Sequence, residues 1–293
     1  MGIVVGLLHP GEMGAAVGRC LTGQGHTVLW ASEGRGPATA ARAAGFDDVG
    51  TVAAVAARAD VILSVCPPHA ALDVAARAAD GFRGLYVDAN AISPATAREV
   101  ASIVGTGGFV DGGIIGLPPV SAGETRLYLS GPRAAEVAAL FAGSPLGAHV
   151  IPAEPHAGSA EPHAGSAEPG AASAPAPAGA ASALKMAYAA WTKGTSAMLL
   201  AIRALARAEG VEDALLAEWA MSQPALAARS EGAATSAAAK GWRWIAEMEE
   251  IAASMTADGL PGGFHQAAAE IYRRSGSDPD LDAVLSALSE PRP

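Results

Sequence analysis

Cysteine is scarce in this chain of 293 residues: Cys20 and Cys66 are the only two. They build no disulfide framework, and a reduced cytoplasm is the expected compartment. Positive charge is also in short supply. The 19 Lys and Arg are outnumbered by 29 Asp and Glu, giving a formal net charge of −10. That balance argues against nucleic acid or an anionic membrane as the main partner. Long apolar runs are missing too. The richest stretch, AMLLAIRALARA (197–208), is cut by Arg203 and Arg207, so no membrane span is expected. Nor is a leader expected, because the first strand pattern begins at about Gly2. Hydrophobic residues make up 51%, but much of this is alanine, which overstates core-forming power. The length still suffices for two domains.

The chain divides into three parts. Residues 1–152 alternate short apolar runs with helical stretches. GIVVGLL (2–8), HTVLWA (26–31), DVILSV (60–65), GLYVDA (84–89), GFVDGGI (108–114) and RLYLSG (126–131) read as strands. Continuous apolar runs separated by helices predict a parallel sheet covered on both faces. Residues 153–178 hold a tandem repeat, AEPHAGS twice, followed by AEPGAASAPAPAG; the composition predicts a linker. His156 and His163 were duplicated with the rest of the repeat and are not read as metal ligands; no metal site is expected. Residues 179–293 read as helices over 182–210, 233–259, 262–276 and 278–290. In the last, Asp278 is the expected N-cap and Pro279 the first helical residue. The fold class is therefore α/β, a Rossmann-type sheet domain followed by an all-α domain.

The first strand runs into GLLHPGEMG (6–14). A dinucleotide turn reads G-x-G-x-x-G between a strand and a helix. Gly11 and Gly14 fill its second and third places, and His9 stands in the first. Gly11 would let the backbone approach a pyrophosphate, and Gly14 would allow the helix to pack closely on the strand. His9 precedes Pro10, which favours extended backbone there. Gly6, His9, Pro10, Gly11, Glu12, Met13 and Gly14 are the expected cofactor turn, with phosphates at the helix N-terminus.

The second strand ends in LWASEGR (29–35). An acidic residue at this point bonds the ribose of NAD, whereas a nearby arginine accommodates the 2′-phosphate of NADP. Ser32 and Arg35 favour NADP; Glu33, one or two positions away, keeps NAD as the alternative.

These motifs together resemble the β-hydroxyacid dehydrogenase and 6-phosphogluconate dehydrogenase superfamily. Within it, the chain is most similar to a poorly characterised family with a phosphogluconate-dehydrogenase-like C-terminal domain. SVCPPHAALDVA (64–75) and VDANAISP (87–94) match two cofactor-side loops, which implies cofactor contacts for Cys66, Pro67, Pro68 and Asn90. DGGIIGLPP (111–119) lies where the superfamily binds substrate, at Ile115 and Gly116. GAASALKMAYAAWTKG (179–194) matches the stretch with the catalytic lysine and places it at Lys185. The chain also departs from the pattern. Ile115 stands in place of a serine, Tyr188 and Ala189 where an asparagine is usual, and a later Lys-Asp pair is replaced within EMEE (247–250). The fold, the cofactor and the lysine carry over; the substrate does not.

Hydride transfer to or from a carbonyl needs a proton partner, and a lysine can serve in both directions. Lys185 is the expected general acid and base. Tyr188, one turn on, shares its helix face. Trp191 and Glu247 are further expected substrate contacts, Glu247 toward a cationic group. The resemblance implies NADP-dependent interconversion of a small hydroxy compound and its carbonyl, by a homodimer built through the helical domain. Imine reductases share the architecture and the Asp-Gly and Pro-Pro pattern, but generally not the lysine. A non-catalytic NADP-binding sensor is the reading from a different class.

Overall fold

The computed structural model describes residues 2–153 and 176–290. Most of the tandem repeat lies outside the described residues. The chain forms two compact units, Met1–Lys185 and Met186–Pro293.

The first unit is built in the order β1 (Val4–Leu8), α1 (Glu12–Gly23), β2 (Thr27–Trp30), α2 (Pro37–Arg42), β3 (Asp47–Asp48), α3 (Val52–Arg58), β4 (Val61–Ser64), α4 (Ala71–Ala79), β5 (Leu85–Asp88), α5 (Pro94–Val104), β6 (Phe109–Ile115), β7 (Thr125–Ser130), α6 (Ala134–Ala139) and β8 (Leu146–Val150). One sheet runs in the order β3-β2-β1-β4-β5-β6-β7-β8. β1 pairs in parallel with both β2 and β4, so the strand order reverses beside it. In such sheets ligands bind at that reversal, beyond the carboxyl ends of the strands.

Every residue of β4, β5 and β6 is buried, as their largely apolar runs lead one to expect, Ser64, Asp88 and Asp111 included. Alternate residues feed two cores, one on each face. Leu63, Leu85 and Val87 enter one, and Ile62 and Tyr86 the other.

Sequence and structure differ at three places in this sheet. β7 is antiparallel to β6. Residues 116–124 are too few for the crossover that a parallel pair needs, so the chain turns straight back. Two edge strands were not expected. β3 is two aspartates, and β8 is LGAHV with an exposed end. Short, polar edges carry little apolar pattern, and they also discourage pairing with other chains.

The second unit takes most of α7 (Ala180–Ala208), then α8 (Glu212–Ser222), α9 (Leu226–Ala257), α10 (Gly263–Arg274) and α11 (Leu281–Ser289). α7 stops just before Gly210, which takes φ +70°, as a helix C-terminus prefers. α9 begins earlier than the expected 233, because 226–232 are helix formers and Gly232 does not break them. α8 was not expected. The N-cap of α11 is Asp280 and not Asp278: its carboxylate accepts from the amides of Asp282 and Ala283, at 2.8 and 3.1 Å. Asp278 instead accepts from the Asp280 amide at 2.9 Å, forming the turn before the helix.

Buried Arg203 joins three elements of this unit. It donates to Glu212 on α8 at 2.6 Å and to the Ser230 hydroxyl on α9 at 2.8 Å. Arg207 binds the same glutamate, through Nε at 2.7 Å, and reaches Asp282 on α11 at 2.6 Å. The two arginines that interrupt the apolar run 197–208 are thus the cross-links of the helical unit.

Candidate cofactor and proton-transfer site

The turns after β1, β2, β4 and β5 and the end of β6 lie along one edge of the sheet. The parallel register sets Leu8 beside Ser64, Ser64 beside Asp88 and Asp88 beside Asp111. The expected cofactor residues of the first unit are therefore brought to a common edge.

The β1–α1 turn has the form its glycines imply. A side chain on Gly14 would meet the His9 carbonyl oxygen at 2.5 Å, so only glycine allows the helix this close. A side chain on Gly11 would meet nothing within 4 Å. The amides of the first turn of α1 precede its first intrahelical bond, from Ala15 to the Gly11 carbonyl at 2.9 Å. Open space over Gly11 beside free-ended amides fits a pyrophosphate.

His9 departs from expectation. Its φ is +65°, a left-handed conformation and not an extended one. Such geometry costs a non-glycine residue about 1–2 kcal/mol. The imidazole is engaged with Arg35, whose Nη1 donates to Nε2 at 2.5 Å. Accepting a bond from a guanidinium needs a lone pair on the ring, so the imidazole is neutral. Burial, and then the charges of Arg35, Arg77 and His69, pull the His9 pKa down to about 4.

Arg35 has no carboxylate partner among the described residues. Burial and the nearby Arg77 charge both act against its protonated form. Glu33, the alternative ribose ligand, lies 3.6 Å from Arg77. Ser32 lies near exposed Asp48 of the neighbouring strand, which accepts from the Gly50 amide at 2.9 Å. A groove of about 410 Å³ opens beside the end of β2, with Val52, Ala53 and Ala76 among its walls and Glu33 and Arg77 at its rim.

The loops after β4 and β5 are tied together from within. The Asn90 side chain accepts from the Cys66 amide at 2.5 Å and donates to Asp88 at 2.8 Å and to Ser64 at 3.2 Å. Asn90 is buried, and these bonds fix the backbone that leads into Pro67 and Pro68. Burial pushes the Cys66 thiol up to about 12, which leaves it a neutral, inert group.

Asp88 is fully buried, and burial, with Asp111 adding, raises its pKa to about 7. Unfolded, the same carboxyl titrates near 3.8. The folded state thus keeps a proton that the unfolded state releases. The stability tied to this group is complete below about 3.8 and is lost as pH rises through about 7. Asp88→Asn is expected to flatten that part of the pH–stability curve. Denaturant titrations at about pH 5 and about pH 8 read it; a variant that keeps the parental slope shows that Asp88 does not carry the proton.

β6 positions the lysine. Asp111, quoted in the sequence motif without a role, is buried and accepts four hydrogen bonds. Its Oδ2 takes the Ser130 hydroxyl at 2.9 Å and the amides of Gly179 and Ser182 at 2.9 and 3.0 Å. Its Oδ1 takes the Ser182 hydroxyl at 2.6 Å. The carboxylate caps α7 from outside, where negative charge is favoured. Two residues on, a side chain on Gly113 would meet the Ala181 carbonyl oxygen at 2.7 Å, so the first turn of α7 lies directly on the strand. One turn after Ser182, half-buried Lys185 donates from Nζ to the Ile114 carbonyl at 2.7 Å. The signal for Asp111 was an acidic residue in an apolar strand: buried on both faces, it must find donors. Beside it, Ile115 is buried, and Gly116 takes φ +127° against the Glu124 carbonyl.

The remaining expected contacts lie in the second unit. Tyr188 and Trp191 are exposed on α7, at 45% and 64%. Glu247 is buried and pairs with Lys193 of the same unit. Lys193 also faces the Trp244 ring, 5.6 Å from its centre, and its carbonyl accepts from the Tyr272 hydroxyl at 2.5 Å. The run of glutamates hid this partner, which lies far away in sequence.

Residues 206–275 match a family model described as a domain of unknown function, DUF1932. Over 57 residues the chain is 39% identical to an uncharacterized 28.5 kDa protein in the 7S RNA 5′ region of Methanothermus fervidus. That match spans 20% of this chain and 23% of that protein, about a quarter of its length. Among solved structures, the conserved protein MTH1747, of unknown function and described as similar to 3-hydroxyacid dehydrogenases, aligns with a TM-score of 0.65 at 25% identity. The alignment covers 97% of this chain and 99% of that one. The 3-hydroxyisobutyrate dehydrogenase of Mycobacterium tuberculosis, solved with L-serine, aligns at 0.64 and 20% identity, covering 99% and 100%. A reductive aminase of Aspergillus terreus, solved with NADPH and ethyl levulinate, aligns at 0.53 and 18% identity, covering 98% and 100%. In fold, the chain is similar to these 3-hydroxyacid and 3-hydroxyisobutyrate dehydrogenase-like structures.

Proposed function

We propose that the protein is an NADP-dependent dehydrogenase that interconverts a small hydroxy compound, of the β-hydroxy acid kind, and its carbonyl. The observation that carries the reading is the set of groups along one sheet edge: an open glycine turn, an arginine that meets no carboxylate among the described residues, and a lysine held on β6. The turn over Gly11 and the amides of Glu12 and Met13 would hold the pyrophosphate. Arg35 would hold a 2′-phosphate, for which a guanidinium supplies two charge-assisted bonds. Pro67 and Pro68, fixed through Asn90 and Cys66, would shape the nicotinamide side. When bound, the cofactor supplies or accepts hydride. Lys185 Nζ would give a proton to the carbonyl oxygen in reduction and take one from the hydroxyl in oxidation.

An amine reductase reading draws on the fold shared with the reductive aminase. Lys185 favours the alcohol–carbonyl reading over it, and over a sensor that performs no reaction. The reading also includes a homodimer. Leu184, Tyr188, Trp191, Met198 and Leu205 are exposed along one stripe of α7, with heptad spacing from Leu184 through Trp191, Met198 and Leu205. A second copy is the occupant proposed for that stripe.

The test of the cofactor assignment is Arg35→Ala. It is expected to weaken NADPH binding about tenfold to a hundredfold and to leave NADH nearly unchanged. Calorimetric titration of both reads it. Equal parental affinities, or NADH ahead, would move the ribose contact to Glu33 and end the NADP assignment.

A further inference from the structure

We propose that His9 is a positioning residue for Arg35, and that the preference for a 2′-phosphorylated cofactor depends on it. The inference rests on the NADP reading above. It begins from a residue in the wrong conformation for its type. The first position of the turn suits glycine, yet His9 holds φ +65° with a side chain attached and a proline after it. Left-handed non-glycine residues persist where their surroundings over-determine them, and they gather at ligand clamps. The Arg35 guanidinium is the partner of the ring: Nη1 donates to Nε2 at 2.5 Å, and Nη2 lies 3.3 Å from Nδ1. The two residues follow adjacent strands, β1 and β2, whose register sets Leu7 beside Trp30. The contact therefore bridges the pyrophosphate turn and the end of β2, where a 2′-phosphate would sit.

The chemistry of the pair suits that task. A neutral imidazole accepts a bond from guanidinium without neutralising its charge. A carboxylate in the same place would hold the arginine equally well and cancel the charge a phosphate needs. Burial and the Arg35 and Arg77 charges keep the ring neutral down to about pH 4, so the acceptor persists at neutral pH. Glu33, the nearby acid, is turned to Arg77. An arginine already held loses less rotamer freedom when phosphate arrives, and so binds it more tightly. Glycine at position 9 would relieve the backbone and release the side chain of Arg35.

The experiment titrates NADPH and NADH into the full-length parent, His9→Gly, His9→Asn, Arg35→Ala and the His9→Gly/Arg35→Ala double variant. His9→Gly is expected to weaken NADPH about tenfold and NADH by less than about twofold. Its thermal midpoint should equal or exceed the parental one, since strain is removed. The double variant should bind NADPH no more weakly than Arg35→Ala alone. His9→Asn, which tolerates the left-handed backbone and offers an amide oxygen, should recover part of the preference. If His9→Gly keeps the parental NADPH:NADH ratio while Arg35→Ala abolishes it, the positioning role is overturned and the NADP reading stands. A parent that binds NADPH no better than NADH overturns both.

Discussion

Lys185→Ala is expected to cut turnover by about 10²–10⁴, the range for a positioned acid–base group, and to leave NADPH affinity within a few fold. The two effects separate because the groups do. The pyrophosphate turn follows β1, whereas Lys185 is held on β6 through the Ile114 carbonyl. Lys185→Arg should recover little activity. A guanidinium stays protonated and cannot take a proton from a hydroxyl. The measurement needs a substrate, found by screening hydroxy acids, aldehydes, ketones and cyclic imines with NADP(H). If the alanine variant turns over at the parental rate, the acid–base role passes to Tyr188, and the imine reading gains ground.

Asp111→Ala should cost about 3 kcal/mol or more of stability, read by chemical denaturation. It leaves two hydroxyls and two helix-end amides without their acceptor in a place water does not reach. Buried donors stripped of a partner keep their full desolvation cost. Asp111→Asn is the gentler probe. It keeps the volume but turns an amide NH₂ toward groups that are themselves donors. Ser182, which it would release, is one turn from Lys185 on α7. We expect the asparagine variant to lose turnover while NADPH affinity holds, because the lysine moves and the cofactor turn does not. A variant that is destabilised yet keeps parental turnover would confine Asp111 to a structural role.

Much of this was legible before any coordinates. Six strands showed in the sequence because strands buried on both faces must be continuously apolar. Gly14 showed because a helix packed tightly on its strand leaves no room for a side chain there, and Gly11 through its place in the same turn. Lys185 was singled out by motif resemblance and its apolar setting, whereas its bond to the Ile114 carbonyl came only with the fold. The conformation of His9 did not show. The Pro10 rule is local, whereas the left-handed backbone is held by Arg35, which arrives from the next strand. Asp88 and Asp111 were readable as oddities in apolar strands, but not their partners, which lie on other elements. Glu247 read as one charge in a run until folding set Lys193 against it.

The sequence by itself determined the strong periodicities: six of the eight strands, the helices over 182–210, 233–259, 262–276 and 278–290, and the glycine turn between β1 and α1. These follow from side-chain volume and backbone freedom along the chain, which act over a few residues. Only the tertiary structure decided the charge pairings. Arg35 meets an imidazole and, among the described residues, no carboxylate; Glu33 goes to Arg77, and Asp111 goes to the amides that start α7. Such bonds form between residues far apart in the chain. Their strength depends on burial and distance, which exist only once the sheet has brought its strand ends to one edge.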